Sequence, residues 1–160
     1  MTTITQLVKR GKKNFIPLLE DLGFTNHGRL SFSRKTGEGV YQLILADLSY
    51  GVNLKFHITC IVKEYAPHKM DNFPRNINLT CGGRLGEGLV TGELWDVEEL
   101  DDIDYIFENI IKNIIEYALP WFEKINTRQD YVNAMTVDAR ERAEDNGRME
   151  AILNPPWDEQ

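Results

Sequence analysis

Only two cysteines, Cys60 and Cys81, occur in the 160 residues. That is too few for a disulfide framework, and in a reducing compartment both are expected to stay free thiols. No apolar run approaches the roughly 20 residues that a bilayer span requires, so no membrane partner is expected. The opening MTTITQLVKRGKKNF lacks the charged-then-apolar pattern of a secretory leader, which points to a cytoplasmic location. Positive charge is also in short supply, with 18 Lys and Arg against 25 Asp and Glu for a net charge of −7. A general affinity for nucleic acid is therefore not expected. What remains is an ordinary apolar fraction, 42%, on a chain long enough to bury a core without a structural metal.

Glycine is concentrated in TCGGRLGEGLVTGELWD, residues 80–96. A phosphate-binding loop of the NTPase kind needs Gly-Lys-Ser/Thr, with lysine to neutralise phosphate and a hydroxyl to hold magnesium; neither is here. A dinucleotide fingerprint needs a helix to follow, and LVTGELWD has no helical period. The glycines read instead as turn-makers between short strands. No cofactor is implied.

Along the chain, Ile4, Leu7, Val8, Phe15, Leu18, Leu19 and Leu22 recur at helical spacing, with Gly11 and Pro17 predicting a break and Gly23 a stop. The period then changes to two. RLSFSRK, TGEG and VYQLILADLSY read as a hairpin, NLKFHITCIVKE as a third strand, and residues 77–81 as a short fourth. Ile103, Ile106, Phe107, Ile110, Ile111, Ile114 and Ile115 form a helical stripe, capped by Asp101 or Asp102 and ended by Pro120. Thr127 is the expected N-cap of a helix beginning RQDYVNAM.

These elements predict an α+β fold: an antiparallel sheet of four to six strands, with an N-terminal helix and two or three C-terminal helices packed on one face. The other face is expected to be partly open. Residues 1–135 form the domain, and 136–160 a charged helical arm and tail that could mediate homo-oligomerisation. The core positions expected are Phe15, Leu18, Leu22, Phe32, Phe56, Ile58, Cys60, Ile106, Ile110, Ile114 and Trp121.

Charge is unevenly divided. Residues 1–70 hold ten Lys and Arg against five Asp and Glu, whereas 71–160 hold eight against twenty. The acidic excess culminates in ELWDVEELDDIDYIFE, which carries Glu93, Asp96, Glu98, Glu99, Asp101, Asp102, Asp104 and Glu108. Carboxylates at a helix start satisfy its dipole, and such a surface also attracts a basic protein. The binding residues expected are Trp95, Asp96, Glu98, Glu99, Asp101, Asp102, Asp104 and Glu108, with Trp95 as the aromatic anchor. Asp101, Asp104 and Glu108 have helix-face spacing, yet dipole satisfaction accounts for them without a metal. An alternative pocket would use Arg84, Cys81 and His57. His57 and Cys60, three apart on a strand, point to opposite faces and make no metal or nucleophile pair. Arg29, Lys35, Lys55, His57 and Lys63 give the sheet's polar side a modest basic stripe without stacking aromatics.

FIPLLEDLGF followed by LSFSRK, then FHITCIV, CGGRLG with ELWD, and ALPWFEKINTRQDYVNAM together resemble a bacterial family known as domain of unknown function 4304. The resemblance spans roughly residues 7–135. Where members often carry paired tryptophans, this chain has Leu94-Trp95. The resemblance implies a small cytosolic protein, some relatives lying near toxin and immunity loci, and supplies no catalytic residues. The reading is thus a non-enzymatic protein-binding module, most concretely an immunity-like inhibitor; the alternative is a small enzyme or ligand-binding domain with a pocket between sheet and helices.

Overall fold

The computed structural model describes residues 4–49, 53–62, 81–85, 95–96 and 102–154. Helices α1 (Ile4–Asn14) and α2 (Ile16–Asp21) open the chain, followed by strands β1 (Thr25–Asn26), β2 (Ser31–Lys35), β3 (Val40–Ser49), β4 (Asn53–Val62), β5 (Gly82–Arg84) and β6 (Trp95–Asp96). Then come α3 (Asp102–Asn113), a π-helical turn (Ile114–Ala118), α4 (Leu119–Glu123), α5 (Arg128–Ala134), α6 (Val137–Asp145) and α7 (Arg148–Leu153). The fold is α+β, as the change of period implied.

Among the described residues the sheet pairings are all antiparallel, in the order β1-β2-β3-β4-β5, with β6 also on β4. The long β3–β4 ladder runs from Val40↔Val62 to Ser49↔Asn53. Its register puts Ile44, Phe56, Ile58 and Cys60 on the helix-facing side, all fully buried. Phe15, between α1 and α2, meets Phe32, Phe56 and Phe107 at ring-centroid distances of 5.5, 5.4 and 5.8 Å. One ring thus joins two strands and α3 around the centre of the core.

Pro17 sits in the first turn of α2, where its missing N–H costs nothing, and the helical pattern breaks just before it. Gly11 does not break α1. A Cβ there would lie 2.5 Å from Leu30 Cδ2 and 3.2 Å from Phe107 Cζ, so this glycine lets the helix approach the core closely.

Pro120 does not end the long helix. Asn113, Ala118 and Leu119 keep right-handed helical angles, and the Leu119 N–H donates to the Ile114 carbonyl, five residues back. The wider turn accommodates the proline, which would otherwise collide with a carbonyl one turn earlier. Ala118 and Phe122 then continue the buried stripe, while Ile115 is left 51% exposed. Trp121, Leu18 and Leu22 are only partly buried; Phe122, Leu19 and Phe24 take the core positions expected of them.

The sheet's other face is closed at its centre and open towards its ends, where Lys35 and Asp47 are exposed. Leu43, Thr59 and Ile61 point away from the helices by register, yet are buried. The Thr59 hydroxyl donates to the Cys81 carbonyl at 2.7 Å, and Ser33 Oγ meets His27 Nε2, so these two hydroxyls are hydrogen-bonded.

At the helix-facing edge, the Gln42 side chain is 1% exposed and has no spare hydrogen-bonding capacity. Its amide donates to the carbonyls of Phe122 (2.9 Å) and Ile125 (3.1 Å), and its oxygen accepts from Arg34 Nε (2.9 Å) and Nη2 (2.7 Å). Arg34 also donates to the Leu22 carbonyl and lies 4.5 Å above the Phe24 ring. This network ties the end of α4 to the sheet. Thr127 caps α5 in a reciprocal capping box with Asp130. Beyond it, Ala139, Ala143 and Ile152 join the core, and buried Arg128 donates to the Ile152 carbonyl at 3.1 Å.

Candidate functional site

The acidic segment is described only in part. Glu93, Glu98, Glu99 and Asp101 lie outside the described residues, and Asp96 and Asp102 are placed by backbone alone, in β6 and at the start of α3. Asp104 and Glu108 are exposed on α3. Asp104 turns toward α1, accepting from Asn14 Nδ2 at 3.0 Å and facing Arg10 Nη1 at 3.5 Å. In so exposed a setting this ion pair adds little stability.

Trp95 is 7% exposed and belongs to the core. It pairs opposite Leu54, packs edge-on against Phe56 at 6.3 Å, and donates its indole N–H to Asn109 Oδ1 at 3.0 Å. Among the described residues of the acidic segment, the exposed large aromatic is Tyr105, at 73% exposure, between Asp104 and Glu108. Sequence reasoning passed over it, although its place off the Ile103, Ile106, Phe107 and Ile110 stripe was a legible signal of exposure.

Register sets His57 and Cys81 on opposite faces of the sheet. Arg84 pairs opposite His57 on β4, and His57 Nε2 lies 3.8 Å from Asp47 Oδ2. Cys81 is fully buried on the helix-facing side beside Cys60. Burial pushes the Cys60 thiol up, and hydrogen bonding to Cys81 adds to this, which suits a packed thiol and not a nucleophile.

Gly82 and Gly83 are strand residues, not turn-makers. Gly82 has φ +129°, and a Cβ there would stand 2.1 Å from the Ile58 carbonyl oxygen and 2.8 Å from Thr59 Cα. Glycine is required because two backbones come close together. Among the described residues, no cluster of three or more His, Cys, Asp or Glu could hold a metal ion, and no helix is long and apolar enough to cross a membrane.

Two concavities lie along α1. One, of about 310 Å³, is lined by Thr5, Val8, Lys9, Lys12 and Arg29. The other, of about 440 Å³, is lined by Gln6, Lys9, Arg10 and Lys13. Arg29 therefore belongs with the helix cations and not with a stripe on the sheet. It follows a tight turn and has φ +48°, a long-range placement that no sequence pattern announces.

No curated protein and no solved structure matches the chain. Residues 15–124 match the model of a domain of unknown function, DUF4304, a span that runs from the central Phe15 to the end of α4 and includes the whole sheet. The match covers well over half of the sequence, and the chain belongs to the DUF4304 family.

Proposed function

We propose that this protein is a non-enzymatic binding module that receives a basic protein surface on the acidic start of α3, most concretely as an immunity-like inhibitor. The observation that carries the reading is Tyr105, 73% exposed between Asp104 and Glu108. Residues 93–108 carry eight carboxylates and no Lys or Arg. Complementary charge accelerates encounter and restricts partner choice, and an exposed tyrosine supplies contact area at small entropic cost. Tyr105 takes the anchor role that Trp95, committed to Phe56 and Asn109, does not fill.

A photoreactive residue at position 105 should capture a basic partner that the same group at Val137, another exposed apolar position, does not. With that partner, Asp101→Lys combined with Asp104→Lys should slow association and flatten its salt dependence, and Tyr105→Ala should speed dissociation. Unchanged association and dissociation rates in these variants would reject this surface.

A further inference from the structure

We infer that the basic concave surface of α1 is an anion site for a ligand carrying a chain of two or more phosphate groups. The inference is independent of the acidic-surface reading. Lys9 is the shared wall of two adjoining concavities: Lys12 and Arg29 complete the cationic lining of one, Arg10 and Lys13 that of the other. A single phosphate meets the cations of one concavity, whereas a chain of phosphates crosses Lys9 and meets cations on both sides. Arg10 shares its charge with Asp104 at 3.5 Å, so the half containing Arg29 is the stronger.

The contribution from outside the helix is specific. Arg29 holds a left-handed backbone, φ +48°, a conformation that costs a residue with a Cβ about 1 kcal/mol. Asn26 clamps the turn: its Nδ2 donates to the Arg29 carbonyl at 3.1 Å and the Ser31 carbonyl at 3.3 Å, and its Oδ1 accepts from the Gly28 N–H at 3.3 Å. A glycine would hold this backbone without strain, yet the position carries a guanidinium that lines a groove with Lys9 and Lys12. Arginine and lysine side chains that line one groove from two elements supply the positive charge that a multiply charged phosphate chain requires. Thr5 adds a hydroxyl and Val8 an apolar patch to the same groove.

The test is calorimetric titration of the full chain with sodium tripolyphosphate, ATP, orthophosphate and a single-stranded oligonucleotide. Tripolyphosphate should bind saturably with one site, more tightly than orthophosphate, and more weakly as salt rises. Lys9→Gln and Arg29→Gly should each weaken it about threefold to tenfold, the span expected for loss of one charge-assisted contact at a surface. Arg29→Gly also relieves the left-handed strain, so its denaturation midpoint should not fall, which separates lost binding from lost folding. Lys124→Gln, on an exposed residue at the end of α4, should leave affinity unchanged. Equal affinity for ATP and tripolyphosphate assigns recognition to the phosphate chain alone; tighter ATP binding adds a base resting near Val8. Absence of saturation, unchanged binding by Lys9→Gln and Arg29→Gly, an equal loss in Lys124→Gln, or preference for the oligonucleotide would each overturn the inference.

Discussion

Replacing Gln42 with leucine keeps side-chain volume and removes the amide's hydrogen bonds that join the end of α4 to the sheet. Arg34 loses two bonds to the amide oxygen, at 2.9 and 2.7 Å, while retaining its bond to the Leu22 carbonyl. A hydrogen bond to a charged group contributes about 1.5–3 kcal/mol, and a buried carbonyl left without its donor costs about 1–3 kcal/mol. The Phe122 carbonyl still accepts from the Ile125 N–H at 3.0 Å, so the Ile125 carbonyl is the acceptor put at risk. The added apolar burial returns about 1 kcal/mol. The expected net loss is about 2–4 kcal/mol, which for a chain of this size lowers Tm by about 5–12 °C. Equilibrium denaturation in urea, followed by both tryptophan fluorescence and circular dichroism, measures it directly. The double variant Arg34→Met with Gln42→Leu should lose less than the sum of the two single losses, because no half-buried cation is then left without its acceptor. A Gln42→Leu protein within about 0.5 kcal/mol of the parent would refute the reasoning, since that is the range of an uninvolved surface substitution.

Gly82→Ala should destabilise by about 3 kcal/mol or more, combining a strained positive φ with a Cβ driven into the Ile58 carbonyl; hydrogen exchange should show β5 released from β4 first. Asp130 sits below its ordinary value of 3.8 because the backbone N–H groups of Asn126 and Thr127, and then the Thr127 side chain, hydrogen-bond its carboxylate. A depressed folded value gives stability that is present above 3.8 and lost as pH falls through the folded value. Asp130→Asn should therefore flatten the acid limb of the stability profile below pH 3.8, as read from urea midpoints; an unchanged limb would remove Asp130 from the cause.

Local patterns were legible where one element alone decides them. The alternation in RLSFSRK and NLKFHITCIV gave β2 and β4, because a half-buried strand needs period two. The Thr127 cap and its helix were readable from four adjacent residues, and the acidic approach to α3 from the charges themselves. Leu18 and Leu22 fit the helical stripe, but the break before Pro17 turns α2 so that Leu19 and Phe24 fill the core instead.

Sequence by itself determined the α+β class, the order of the principal elements and the charge of each surface, since periodicity, turn chemistry and ionisation are properties of neighbours in the chain. Only tertiary structure decided that Gly82 lies in a strand pressed against Ile58, that the helix passes through Pro120 on a π turn, and that Trp95 belongs to the core while Tyr105 faces solvent. It alone set Arg29 beside Lys9 and Lys12 and gave Gln42 its four hydrogen bonds. Each of these depends on which distant backbone or side chain arrives within a few ångströms, and packing fixes that only once the whole chain has closed on its core.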